Sequence, residues 1–421
     1  MTLIRTTLLS SISYVVRVLT GFVANKVVAV YLGPAGVALL GQFNNFIAIF
    51  RIPANSLNGG IVKYVAEYKD SESRRLRIIG TGFCFILLSS FLVSAAVLIF
   101  ARRLSVYVMK TSGYEGALVI VGLLSVFVSL NNFFLAVLNG LKEIDRYIAV
   151  SIFSSFVGLV IGVFCVVRWG LYGALIASSL ANTAVFGLTF YFMSRHAWFS
   201  ARSLPRAIDW ASFSNLLKFA AMLAVSGLVT NYSYILVRGC IMGAVSIDAA
   251  GYWQGMIRIS DSYLTIITSS LSIYYLPRLS EITKDRDLRA EILRSYRILL
   301  PSMALLVVTI YFMRDVVIRL LYTPQFLPMR ELFFFQLSGD FFKIFSWVLG
   351  YLMIARAMTR WFIYSEIFYF ASYVPLSFFL IHRYGVVGAT YAYLVCYVLF
   401  SIFLIWLFRG LLWMGDGAET A

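Results

Sequence analysis

Long apolar stretches follow one another along this chain with only short polar gaps between them, and that pattern constrains the fold more than any motif does. A helix needs about 20 residues to cross the roughly 30 Å of bilayer hydrocarbon, whereas a barrel strand alternates in polarity over about ten. Unbroken runs of this length therefore predict an all-α integral membrane protein. Hydropathy and turn punctuation place about twelve spans at 7–31, 36–60, 78–100, 116–140, 147–167, 171–193, 213–237, 250–276, 298–321, 331–354, 362–382 and 386–408. Composition agrees: 61% of the 421 residues are hydrophobic and 13% are charged, against about 25% charged in a soluble domain. No gap is long enough for a soluble domain, and no GxxxxGK[ST] phosphate loop occurs, so ATP hydrolysis by this chain is not expected. Cys84, Cys165, Cys240 and Cys396 are scattered without metal-type spacing and read as buried thiols. His196 and His382 have no companions that would suggest a metal or a nucleophile, so no cofactor is expected.

Lys and Arg number 35 against 19 Asp and Glu, a formal net charge of +16. In a soluble protein that excess suggests nucleic acid; here its distribution carries the information, and no nucleic-acid partner is expected. With the N-terminus taken as cytoplasmic, twenty cations fall on the cytoplasmic side, mainly in Lys63–Arg77 and Arg278–Arg297. Nine fall on the other: Arg102, Arg103, Lys110, Arg168, Arg238, Arg314, Arg319, Arg330 and Arg383. The positive-inside rule then puts both termini in the cytoplasm. The two cytoplasmic stretches read as amphipathic segments with basic faces on anionic headgroups.

The chain also repeats itself. Arg168-Trp-Gly-Leu-Tyr-Gly-Ala174 returns as Arg383-Tyr-Gly-Val-Val-Gly-Ala389, and Ala35-Gly36 returns as Ala250-Gly251, an offset of 215. Six spans per half keep the same orientation, so the repeat is parallel. Two six-helix lobes, 1–212 and 213–421, are expected around a central cationic cavity.

A charge near a helix centre costs about 3 kcal/mol on insertion scales and therefore faces protein or a wet cavity. Arg17, Lys26, Arg51, Lys218, Arg258 and Lys343 fall within spans, with Asp261, Asp340 and Glu366. The excess of cations favours an anionic substrate. Asn44, Arg51, Asn55 and Asn58 share one helix face, as do Arg258, Asp261, Thr265, Ser269 and Ser272, and Gln336, Asp340, Lys343 and Trp347 form a third stripe. A bland reading stands beside each: Asp340 and Lys343, at i and i+3, can be a structural clamp, the Asn stripe can be glue between helices, and Arg17 and Glu366 can snorkel. Pro53, Pro301 and Pro375 inside spans are expected to kink them.

The block Gly251-Tyr-Trp-Gln-Gly255, Ile259-Ser-Asp261-Ser-Tyr263 and Tyr275-Leu-Pro-Arg278-Leu-Ser, with Gly33-Pro-Ala-Gly36, Lys63-Tyr-Val-Ala-Glu-Tyr68 and Gly339-Asp340-Phe-Phe-Lys343, resembles the Wzx family of bacterial flippases over essentially the whole chain. It also resembles the wider superfamily of MATE drug exporters and the lipid II flippase. The resemblance implies a substrate: an oligosaccharide joined through pyrophosphate to undecaprenol, carried to the periplasmic leaflet of the bacterial inner membrane. Lys26, Asp261, Asp340 and Lys343 match residue types of the family. On this reading Lys26, Arg51, Asn55, Asn58, Arg258 and Lys343 bind substrate, and Asp261 or Asp340 takes a coupling proton or sodium ion. Membrane lipids, a polysaccharide polymerase and a chain-length regulator are the other expected partners. Two rivals remain. A multidrug exporter would want an anionic cavity for cationic drugs, and a sugar polymerase or ligase would want a large periplasmic loop. The charge count predicts that green fluorescent protein fused after Ala421 fluoresces and that alkaline phosphatase fused after Lys110 is active; the opposite pattern would invert the topology.

Overall fold

The computed structural model describes residues 3–109, 113–195, 210–282, 284–356 and 358–413. Lys110, His196, Arg202, Arg206 and the side chains of Arg5 and Lys218 lie outside the described residues. Every regular element among the described residues is helical, as hydrocarbon requires of a chain that must bond its own backbone. Nine helices there are long and apolar enough to cross a membrane. Two of these have double length, and each turns at one glycine. In α1 (Leu3–Asn55) the turn is Gly33, at φ 63° and ψ −170°; in α5 (Ile144–Ser194) it is Gly170, at φ 57° and ψ −133°. With the more polar α7 (Ile247–Ser270), this set is compatible with the twelve spans read from the sequence.

The repeated motif does the same physical work twice. Gly170 and Gly385, the latter at φ 64° between α12 (Thr359–Tyr384) and α13 (Val387–Leu407), take the left-handed conformation that reverses the chain. Three residues later a second glycine lets the returning helix lie against the one before it. A Cβ on Gly173 would stand 1.9 Å from the Cys165 carbonyl oxygen, and one on Gly388 would stand 2.2 Å from that of Leu380. Both carbonyls lie eight residues before their glycine.

Three details differ from the sequence reading. The basic stretches are not separate interfacial helices: α2 (Leu57–Glu67) and α3 (Glu72–Met109) divide the first, and the second runs through α8 (Leu276–Glu281) into α9 (Asp285–Phe312). Glu72, Asp285 and Asp287 in first turns favour these helix starts through the helix dipole. The ninth span stops at Phe312, and the chain restarts as α10 (Arg314–Leu321) and a 3-10 segment, Pro324–Leu332. Pro301 and Pro375 sit inside helices that run on past them, and the positive-φ glycines are Gly33, Gly170 and Gly385. Cys84 is half-buried, while Cys165, Cys240 and Cys396 are buried.

The chain divides into two compact units, residues 1–32 with 39–232, and residues 33–38 with 233–421. In lipid, helices gain little by burying apolar surface, so packing rests on close fit and hydrogen bonds. The first unit shows this where Ile61, Val65, Ile86, Phe133 and Phe134 pack among α2, α3 (Glu72–Met109) and α4 (Glu115–Gly140). Gly82 and Gly140 supply the space: a Cβ there would meet Ile61 at 2.5 Å and Val65 at 2.8 Å. In the second unit, α11 (Phe333–Ala355) packs with α13, and Tyr322, Phe326, Met329 and Leu332 close its end, all four fully buried. Pro34 lies in this unit against α7, where a Cβ on Gly251 would be 2.1 Å from its carbonyl oxygen.

Gly173→Val and Gly388→Val should each destabilise the protein by about 1–3 kcal/mol through overpacking. Gly187, which has open space around its Cα, should gain up to about 1 kcal/mol on replacement by Ala in its helix. Thermal unfolding in detergent checks both; equal midpoints for Gly388→Val and Gly187→Ala would refute the close-approach account.

Candidate functional site

In the second unit, α7 divides into two faces. Trp253, Ile257, Ser260 and Leu264, at i, i+4, i+7 and i+11, are buried, while Arg258, Asp261 and Thr265 on the adjacent stripe are exposed. The Arg258–Asp261–Thr265 part of the expected stripe is thus one continuous open face, with Ser269 half-buried and Ser272 exposed beyond the end of the helix.

The buried face leads to Asp340. This carboxylate is fully buried on α11, and each of its oxygens accepts two hydrogen bonds. Ser260 Oγ (2.7 Å) and the Tyr263 hydroxyl donate to Oδ2; the Tyr393 hydroxyl (2.7 Å) and, more weakly, Gln336 Nε2 (3.4 Å) donate to Oδ1. Three helices, α7, α11 and α13, therefore meet at one anion. An ionised carboxylate survives burial only when it is bonded in this way.

One turn along α11, the Lys343 ammonium lies over the rings of Trp347, Tyr393 and Tyr397 at 5.0, 5.7 and 5.5 Å. Desolvated cations gain about 2 kcal/mol or more from such rings. The acidic groups whose fields reach it are Asp261 and Asp340. The sequence reading puts Lys343 on substrate; the structure buries it to 7% exposure inside an aromatic cage, because Trp347 at i+4 and the tyrosines of α13 crowd its stem.

In the first unit, Arg51 is half-buried, and its Nη2 donates to Ser179 Oγ on α5 at 2.9 Å. Asn55 accepts a long bond from Asn132 of α4 at 3.4 Å, and Asn45 donates to Asn231 at 2.8 Å on α6 (Trp210–Ala244). The Asn residues do join helices, as the glue reading requires. Asn44 and Asn58 are half-buried beside them, and the Asn58 carbonyl oxygen is buried with no hydrogen-bond partner. Lys26 is half-buried on α1 ahead of the Gly33 turn, and Arg17 is exposed over Tyr14 at 5.1 Å. The structure thus ties Arg51 to α5 and Asn55 to α4, and sets Asp340 and Lys343 one turn apart in the second unit.

Sequence reasoning missed three kinds of residue. Arg238 is read there as a periplasmic flank but is wholly buried inside α6, where its guanidinium donates to Gln254 and lies 5.4 Å from the Trp253 ring. The count expected for the periplasmic side falls by one, to eight against twenty. The signal was present, since the apolar run continues past it to Ala244. Ser179 and the hydroxyls around Asp340 carried no signal, being ordinary residues on distant helices.

A family described as "Polysaccharide biosynthesis protein" matches residues 19–331. The chain belongs to that family. Among curated relatives, the lipid III flippases of Escherichia coli (strain K12) and of Shigella flexneri are each 31% identical over 413 residues, covering 96% of this chain and 99% of theirs. Among solved structures, an inward-facing MATE multidrug transporter of the MOP superfamily aligns with a TM-score of 0.76 at 14% identity, over 94% of this chain and 95% of that one. The lipid II flippase MurJ in an inward closed conformation aligns at 0.72 with 13% identity, over 96% and 87%. The fold of this polysaccharide biosynthesis family member is therefore that of the MOP superfamily, and the protein is a multi-pass membrane protein.

Asp340→Ala leaves four donors and the Lys343 charge without their anion, which should cost about 3–5 kcal/mol. Adding Lys343→Met should restore part of that loss in thermal unfolding; strictly additive losses would show that the two groups do not depend on one another.

Proposed function

We propose that this protein is a flippase that carries an undecaprenyl-pyrophosphate-linked oligosaccharide from the cytoplasmic to the periplasmic leaflet of the bacterial inner membrane, with both of its termini in the cytoplasm. The observation that carries the reading is the 31% identity to a lipid III flippase across 96% of the chain. The proteins it resembles are named as flippases and transporters, so the reading is transport and not catalysis.

The chemistry of the described residues supports the same substrate class. Arg258 is exposed and Arg51 half-buried, so each can offer guanidinium N–H groups to pyrophosphate oxygens, the pairing that planar guanidinium makes best. Lys26 adds a third accessible cation. Lys343 contributes its field from inside the ring cage. Asn55 and Asn58 are the amides assigned to sugar hydroxyls; the 3.4 Å bond between Asn132 and Asn55 is long enough to be exchanged for one. A multidrug exporter shares the fold but would gain little from these cations, and relatives at 13–14% identity carry no substrate to this chain.

Transport follows alternating access driven by a proton or sodium gradient, with Asp261, which is open, or Asp340, which is enclosed, taking the coupling ion. A polysaccharide polymerase and a chain-length regulator are the partners expected to use the product.

The test is leaflet exchange of a fluorescent undecaprenyl-pyrophosphate oligosaccharide in proteoliposomes, read by quencher access, with and without an imposed pH or sodium gradient. Gradient-dependent exchange should fall on the order of tenfold or more in Arg258→Glu and Arg51→Glu, since a charge reversal replaces attraction by repulsion. Exchange no faster than in empty liposomes, for folded protein and several glycans, would overturn the reading.

A further inference from the structure

Arg238 is the one fully buried arginine side chain among the described residues, and its surroundings give it a task. Its guanidinium reaches from α6 to two consecutive residues of α7, donating to the Gln254 side-chain oxygen and facing the Trp253 indole, whose ring centre is also 5.7 Å from that of Tyr234, nearly perpendicular to it. Consecutive helical residues point about 100° apart, so a group that holds both holds the helix against rotation.

The two residues head different stripes. Trp253 begins the buried row of Ile257, Ser260 and Leu264, whereas Gln254, itself buried and bonded to Arg238, begins the row of Arg258, Asp261 and Thr265, which is exposed. A one-residue rotation would put Ile257 in the open face and turn Arg258 toward the core. The far half of α7 is held by Asp340 through Ser260 and Tyr263, and the Tyr322 hydroxyl bonds the Gly255 carbonyl at 3.1 Å. Arg258 lies between the two anchors, one turn after Gln254.

We propose that Arg238 is a positioning residue for transport: seated between Trp253 and Gln254, it sets the rotation of α7 and so aims Arg258 and Asp261 at the substrate. The proposal rests on the reading of Arg258 as a substrate contact.

The experiment compares Arg238→Met, Arg238→Lys, Gln254→Leu and the double variant Arg238→Met/Gln254→Leu in the proteoliposome assay, using full-length protein. The local readout is the alkylation rate, measured in detergent, of a cysteine placed at the open-face position Thr265, with one at the exposed Thr309 of α9 as control. Arg238→Met and Gln254→Leu should each raise the substrate concentration for half-maximal transport on the order of tenfold, the scale of a small misplacement. Each should also change labelling at 265 several-fold and leave 309 unaltered. Arg238→Lys should recover part of both effects, and the double variant should be no worse than either single one. Should Arg238→Met fail to fold, Gln254→Leu and Arg238→Lys carry the test. Folded variants with wild-type half-maximal concentration and labelling at 265, or with only a lowered maximal rate, would overturn the proposal. If Arg258→Gln itself transports normally, the underlying reading falls and not merely the role of Arg238.

Discussion

In hydrocarbon a charged side chain has only protein to solvate it, and the second unit is organised around that constraint at Asp340. Four donors from three other side-chain positions and its own helix converge on one carboxylate, and each donor belongs to a helix that must then hold a fixed height and rotation. Since lipid gives helices little hydrophobic reason to prefer one another, such bonds do much of the selecting. The neighbouring ammonium obeys the same rule by other means, with aromatic faces standing in for water.

The same constraint divides the intramembrane cations by role. Arg238 and Lys343 have their charge accommodated by the fold itself, through an amide and an indole in one case and three rings in the other. Arg258 is exposed, and Arg51 is held by a single hydroxyl bond and is half-buried. A guanidinium that is still partly accessible is poised for an external anion, whereas one already enclosed shapes the field in which that anion binds. Stripe periodicity alone could not separate these two kinds, because it sees where a side chain points and not what meets it there.

That limit also explains how much was legible in the sequence. Helical class and the internal repeat could be read because they are local or periodic, and the motif Arg168–Ala174 could be recognised because its pattern returns within seven residues at Arg383–Ala389. That Arg258 and Asp261 share one face followed from spacing; that this face is open did not. What could not be read was long-range. Ser260, Tyr263 and Tyr393 are 80, 77 and 53 residues from the aspartate they bond, and nothing in their own neighbourhoods distinguishes them. Arg238 was lost for a different reason: a charge near a helix end looks the same whether it ends the span or is swallowed by it, and only the apolar run beyond it favours the second.

The cost of a buried cation makes α6 and α7 informative as a pair. Gln254 is amide where a carboxylate of the same size would bind Arg238 more strongly, and an ion pair there would cancel the guanidinium's charge beside Arg258, whose field already reaches it. A neutral acceptor gives up some binding energy but keeps positive potential at the head of the open stripe. For the pyrophosphate-linked substrate proposed above, potential in that place is useful in itself, because within a low-dielectric wall a charge acts over many ångströms on an approaching anion. The clamp and the field are then two consequences of one choice of side chain, and the neutrality of Gln254 is what allows Arg238 to serve both.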